Sequence, residues 1–374
     1  MQMVMIIAFG WAFFAGILFL VEYFFVLDLL VMEKLSGSYY PWTDFTGSII
    51  LGAIDGFIAG YILIFRLGSR YRKKSFAFGI IYSGLLFIVI YLAFGISGLF
   101  IMDFIYFVFR MDFLSAVTTS WSNVLFNMRA PSFFIYMGVW AFLACCTQFI
   151  LQVSDKFGPG ILWKFITGKY YHPREEERVF MFLDLKSSTT IAEKTGSNKF
   201  FRLLKEIFND VTEPIINSRG EIYQYVGDEI VITWPAKTGL SENNCLLCFY
   251  RIKEALEKRT EHYLEEYGVV PFFKAGMHIG EATVGEIGII KKDIVFSGDV
   301  LNTTARIQGE CNKNNVDIIL SSALLQRMLM NGEYNQIPLG EIQLRGKEER
   351  LSLITIEPVQ GFLHPNEINP RHHA

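Results

Sequence analysis

Over the first 153 positions apolar residues gather in long stretches parted by short polar or mixed segments. Beyond them they recur at the spacing of ordinary strands and helices. Residues 4–31 form an apolar stretch long enough to cross bilayer hydrocarbon with some tilt. Three more stretches of this kind, 47–66, 76–96 and 132–153, predict three further spans. Residues 97–131 are mixed: an apolar run at 98–109 is interrupted and followed by Asp103, Arg110, Asp112 and Arg129. They read as an external loop with an interfacial or re-entrant helix, with a fifth and sixth span as the alternative. The second half breaks into shorter units. Its pattern predicts a strand at 178–184, a helix at about 197–217 and a strand at 221–226. A turn at Gly227-Asp228, a strand at 229–234, a long helix at about 242–266 and a strand at 270–279 follow. Two helices on a mostly antiparallel sheet predict an α+β core of ferredoxin-like type, preceded by an all-α transmembrane bundle.

Charge sharpens the division. Residues 1–160 carry 9 Lys+Arg and 8 Asp+Glu, and the rest of the chain carries 25 and 29. The second half is therefore slightly acidic and has no basic surplus for nucleic acid. Arg66, Arg70, Arg72, Lys73 and Lys74 cluster between the second and third spans, which places that loop in the cytoplasm. Four spans then put both ends inside, as in a multi-pass protein of the inner (cytoplasmic) membrane with a cytoplasmic second half. No Lys or Arg precedes the first span, and its length exceeds that of a secretory signal. The expected organisation is a transmembrane domain at 1–153, a linker or transducer at 154–177, a second domain outside the membrane at 178–357 and a C-terminal tail at 358–374. In the linker, Pro159 can start and Gly168 can end a short helix whose Trp163 and Lys164, with Lys169 beyond, suit a membrane surface. The expected partners are thus membrane lipid, and at the membrane domain an unidentified ligand or protein. Asp55, near the middle of its span, is the candidate residue for that contact. Glu22 and Asp28 read instead as interfacial or paired residues. The five cysteines show no disulfide framework: Cys145 and Cys146 are adjacent, Cys245 and Cys248 read as small buried side chains on a helix, and Cys311 stands alone.

The candidate chemistry centres on two aspartates. Asp184 ends an apolar run in Phe182-Leu183-Asp184-Leu185-Lys186-Ser187-Ser188-Thr189, and Asp228 sits in Tyr225-Val226-Gly227-Asp228-Glu229-Ile230. Carboxylates at such sheet edges are poorly placed for packing and well placed for metal ions. Two of them point to two divalent metals and phosphoryl or nucleotidyl transfer. Singly, Asp184 reads equally as a helix cap and Asp228 as a turn residue.

These motifs resemble those of the class III nucleotidyl (adenylate or guanylate) cyclases, in their membrane-anchored bacterial form, over about 178–357. Phe182–Thr189 is similar to the first metal motif, with Ser187 and Ser188 in place of the usual Gly-Phe, and Gly227-Asp228 is similar to the second. The glycine-spaced segment with Gly276, Gly280 and Gly285 resembles the one flanking the phosphates. Gly298-Asp299-Val300-Leu301-Asn302-Thr303-Thr304-Ala305-Arg306 resembles the family's helix signature. The resemblance implies two Mg²⁺ or Mn²⁺ ions per site, held by Asp184, Asp228 and Leu185. It implies phosphate contacts from Lys186, Ser187, Ser188, Thr189 and Gly227, and more loosely from Arg345 and Lys347. It assigns ribose orientation to Asn302 and charge stabilisation on the α-phosphate to Arg306. It also implies a homodimer, because the aspartates and the Asn/Arg pair come from different subunits, with ATP as substrate and GTP as the alternative.

The base-reading positions depart from the pattern. Adenylate-forming members usually carry Lys where this chain has Gln224, and Asp or Thr where it has Val295; the guanylate pattern is also absent. Gln donates and accepts hydrogen bonds and so does not choose a base. Asp293 shares the strand parity of Val295. Two rivals stay open. One is a diguanylate cyclase, echoed by Gly227-Asp228-Glu229 but lacking a glycine at Val226. The other is a non-catalytic cyclase-like membrane receptor.

Overall fold

The computed structural model describes residues 1–31, 41–67, 75–158, 160–330, 332–343 and 350–359. The chain forms two compact units, Met1–Phe157 and Gly158–Ala374.

In the first unit the apolar runs become helices α1 (Gln2–Val31), α2 (Pro41–Tyr61, continued by a π-helical turn Ile62–Leu67), α3 (Phe76–Val108), α4 (Phe113–Arg129) and α5 (Pro131–Phe157). Among the described residues four helices, α1, α2, α3 and α5, are long and apolar enough to cross a membrane. The mixed 97–131 stretch is mostly helical, and little of it is loop. Helix α3 runs on to Val108, and Asp112 caps α4 by accepting from Ser115 N at 3.0 Å. Small residues let α1 and α2 approach: a Cβ at Gly56 would lie 2.6 Å from Trp11 Cβ, and one at Gly52 would lie 2.6 Å from Ala15 Cβ. Trp11 also packs on Phe87 and Trp140 and donates to Thr147 Oγ1 at 3.0 Å. Tyr136 donates to Glu22, and Asp55 is half-buried in α2. Arg70, Arg72, Lys73 and Lys74 lie outside the described residues.

The second unit begins with α6 (Ile161–Ile166) and then β1 (Arg174–Leu185), which starts inside the segment expected to be linker. The elements α7 (Ser188–Thr195), α8 (Ser197–Asn217), β2 (Glu221–Val226), β3 (Glu229–Pro235) and α9 (Ala236–Leu240) follow. The expected long helix is broken into α10 (Asn244–Glu257) and α11 (Thr260–Tyr267), because Arg259 leaves helical geometry to bind Asp210 with both carboxylate oxygens at 2.6 Å. After it come β4 (Phe273–Ile287), β5 (Asp293–Ser297), α12 (Asp299–Lys313), β6 (Ile318–Ser321), α13 (Ser322–Leu325), β7 (Tyr334–Gln343) and β8 (Arg350–Pro358).

The strands form one mixed sheet in the order β2-β3-β1-β4-β6-β8-β7, with β5 paired to β4. Alternation along β1 decides what each face carries. Val179, Met181, Leu183 and Leu185 point into the main core with α8 and α10, which also buries Cys245 and Cys248. Arg178, Phe180, Phe182 and Asp184 occupy the other face, where α12 packs and Val300 joins Phe180, Phe182 and Val231.

Arg178 is 1% exposed yet fully engaged. It donates to Glu221 at 2.6 Å, to Glu176 at 2.8 Å and to Thr233 at 3.0 Å, and its guanidinium lies 4.8 Å from the Phe296 ring centre. Lys164 of α6 joins through Glu221 at 2.8 Å, and Lys169 and Tyr170 join through Glu176. The entering chain is thereby bolted to β1, β2 and β5. Burial alone would raise the carboxyls of Glu176 and Glu221, but their cationic neighbours more than reverse it, and both sit below their usual value. Their stabilisation is therefore present above the unfolded value near 4.5 and is lost as pH falls through the depressed folded values. Arg178→Met should cost roughly 3 kcal/mol in urea unfolding of the second unit. It should also flatten the loss of stability below pH 4.5.

Candidate active site

The register of β1 builds the site. Leu183 stands opposite Ile230 of β3, and Asp184 stands opposite Lys274 of β4. The two-residue hairpin Gly227-Asp228 joins β2 to β3, with Gly227 at φ +64°, as primed turns need. Asp184 and Asp228 thus come within hydrogen-bonding reach of each other. Burial and then the charge of Asp228 raise the Asp184 carboxyl above its ordinary value. Glu229 is pushed up to about 7 by burial and by both aspartates. Asp228 Oδ2 is buried without a hydrogen-bond partner.

Such crowding is unfavourable in the chain alone, because like charges and an unpaired buried oxygen both cost free energy. Divalent cations would relieve both, so these residues fit a metal site. Among the described residues no group of three or more His, Cys, Asp or Glu side chains is placed to hold a metal ion, so the protein side chains on offer here are the aspartate pair. Hard cations at the pair would complete their shells with backbone carbonyl, water and substrate oxygens.

Two further residues at Asp184 were not singled out from the sequence. Gln308 of α12 hydrogen-bonds the Asp184 carboxylate. Its helix comes so close to β4 that a Cβ on Gly276 would lie 2.3 Å from Gln308 N. Lys274 is buried and reaches the Cys311 carbonyl at 3.4 Å. Gly276 was the available signal for the close approach, but only the packing of α12 reveals its partner.

After Asp184, Lys186 N donates to Phe272 O at 2.8 Å, which commits that amide. Ser187 adopts φ +58°, a left-handed geometry that costs about 1–2 kcal/mol in a residue with a Cβ. Helix α7 takes up its ladder at Ile191 N to Ser187 O, so the amides of Ser188, Thr189 and Thr190 stand at its open end.

Asn302 and Arg306 share an exposed face of α12. Gln308 follows Arg306 by two residues, roughly 200° around the helix, and so points back to Asp184 while the Asn/Arg pair faces away. The aspartates and the Asn/Arg pair are therefore not brought onto one face within a chain. A bulge between Ile222 and Gln224 sets exposed Gln224 opposite Val231, on the Asp184 face. Val295 and Asp293 alternate with Ile294 and Phe296, and the latter two line a small cavity with Tyr223, Thr233 and Lys164. Arg345 and Lys347 lie outside the described residues.

Residues 170–356 match the family described as the adenylate and guanylate cyclase catalytic domain, and the chain belongs to that family. Adenylate cyclase 2 of Rhizobium meliloti (strain 1021) is 34% identical over 208 residues, 56% of this chain and 57% of that protein. Adenylate cyclase 1 of the same strain is 25% identical over 219 residues, 57% of this chain and 31% of that protein. The chain thus spans about half the length of the first and a third of the second. A bacterial light-regulated adenylyl cyclase of known structure shares the fold, at TM-score 0.51 and 18% identity, over 61% of this chain and 67% of that one.

If the carboxylates hold cations, Asp228→Asn should abolish the stabilisation that Mn²⁺ gives the second unit. In the wild type that stabilisation should be about 2.7 kcal/mol at one hundred times Kd. Thermal unfolding with and without Mn²⁺ reads this directly, and an undiminished rise in the variant would remove Asp228 from the site.

Proposed function

We propose that this chain is a membrane-anchored nucleotidyl cyclase converting ATP to 3′,5′-cyclic AMP and pyrophosphate at a site shared by two copies. The observation that carries the reading is the Asp184–Asp228–Glu229 cluster with its unpaired Asp228 oxygen, at the end of a strand whose following helix opens its amides nearby. Asp184, Asp228 and the Leu185 carbonyl would hold two Mg²⁺ or Mn²⁺ ions. When bound, these would acidify the ribose 3′-hydroxyl and neutralise the triphosphate. The amides of Ser188, Thr189 and Thr190 would donate to phosphate oxygens. Asn302 of the second copy would orient the ribose, and its Arg306 would balance charge growing on the α-phosphate.

The opposed faces of α12 support sharing, since Gln308 is turned to its own chain's Asp184 and the Asn/Arg pair is turned outward. The order β2-β3-β1-β4 with all neighbours antiparallel supports the ferredoxin-like reading of the core. The names of the Rhizobium meliloti relatives favour ATP. The four long apolar helices support a membrane anchor, and the bolt at Arg178 offers a route for regulation from it.

The full chain with Mn²⁺ and ATP should yield cyclic AMP. Asp184→Asn and Arg306→Ala should each lower turnover about 100-fold or more. Co-assembly of these two variants should restore about a quarter of wild-type activity, because half of the random dimers regain one intact site. No recovery would rule out a shared site, and a cyclic dinucleotide product would identify a different cyclase. Gln224→Lys should shift the ATP/GTP rate ratio about tenfold by placing a fixed donor at the base. An unchanged ratio would assign base reading elsewhere.

A further inference from the structure

The hairpin between β4 and β5 carries side chains that nothing in its own unit covers. Ile289 and Ile290 are 95% and 103% exposed, and Ile287 is 60% exposed. Lys291 and Lys292 follow them at the same tip. Adjacent, fully exposed isoleucines are costly in water and mark a surface that meets something apolar.

The location narrows the partner. Strand β4 pairs with β1 from Phe273 opposite Leu185 to Val284 opposite Arg174, then continues past the first residue of β1. Beyond that point Glu286 N donates to Tyr170 O at 2.9 Å. The tip therefore projects from the end of the sheet where the chain enters, roughly 40 Å along the strand from Lys274 and the aspartates. The chain reaching this end leaves a helix long and apolar enough to cross a membrane, and only a short segment separates Phe157 from Arg174. That segment exposes Trp163 and Ile166, three residues apart on α6.

We propose that the Ile287–Lys292 tip docks into the headgroup–acyl boundary of the bilayer that the same chain spans. This rests on the membrane-anchor reading. The isoleucines enter the apolar boundary, and the lysines extend their stems alongside to place ammonium groups among lipid phosphates. Lys291 now pairs with Asp293 at 2.8 Å and Lys292 with Glu286 at 3.9 Å. Both ammonium groups are largely exposed, so these pairs are weak and a phosphate can displace them. Tethering keeps the local lipid concentration high, so a small contact is enough.

The full chain carrying Ile290→Cys, labelled with an environment-sensitive fluorophore, tests this in lipid nanodiscs. The discs would hold one chain each in phosphatidylcholine with about 30% phosphatidylglycerol. Cys245, Cys248 and Cys311 are buried, but Cys145 and Cys146 are partly exposed, so both are replaced by Ser in every chain used, and the chain without Ile290→Cys taken through the same labelling serves as the blank. The expected result is blue-shifted emission, quenched by about half with shallow nitroxide lipids and less with deep ones. Lys291→Glu with Lys292→Glu should at least halve that quenching. A chain that enters the discs but leaves the label water-exposed and unquenched overturns the docking alone. Protection that needs two chains per disc and ignores nitroxide lipids assigns the tip to a second copy and likewise overturns it. A chain that does not enter the discs overturns the anchor reading and the docking together.

Discussion

The register of β1 between its two neighbours is the constraint on which the catalytic unit depends. One strand must place Leu183 against Ile230 and Asp184 against Lys274. A slip of one residue would turn Met181 and Leu183 out of the core and bury Phe180 and Asp184 in it. The same register brings the aspartate at the strand's end to the aspartate of the neighbouring hairpin, and sets Arg178, farther back in the strand, over Glu221 and Thr233. Packing thus fixes two polar centres on one face of one strand, one at its end and one in its interior, without either having to drive the fold.

The two centres are built differently. At Arg178 every donor group has found a partner and opposite charges are matched, so the buried charge stiffens the domain. At Asp184 like charges are gathered and one buried oxygen has no partner. An arrangement that is poor for the empty protein is suited to one that receives cations, and such local conflict is where function is expected to lie.

Much of this was legible in the residues. The Gly-Asp between two strand patterns announced the hairpin, because hairpin geometry is local, whereas the meeting of Asp184 with Asp228 follows from the pairing of β3 with β1 that the ferredoxin-like reading of the core implied. The four long apolar runs likewise announced four helices of spanning length. Other features depend on contacts distant in sequence. Arg259 interrupts the expected long helix because it reaches Asp210 on α8. The mixed 97–131 stretch continues one helix and starts another, since the isolated charge of Asp103 does not stop a helix whose neighbours remain apolar, and the chain turns only at Phe109–Asp112. Gln308 looked like any polar helix residue until the glycine gap at Gly276 let α12 settle on the sheet.

That settled helix carries a further consequence. On one side α12 holds Gln308 against Asp184, and on the other it presents Asn302 and Arg306. In an assembly of two copies, cation binding at one chain's aspartates would compete for the carboxylate that Gln308 holds. The helix altered by that competition would be the one serving the other site. The two centres would then be energetically linked through a single rigid rod, and linkage of this kind is reciprocal: filling either site would change affinity at the other by the same factor.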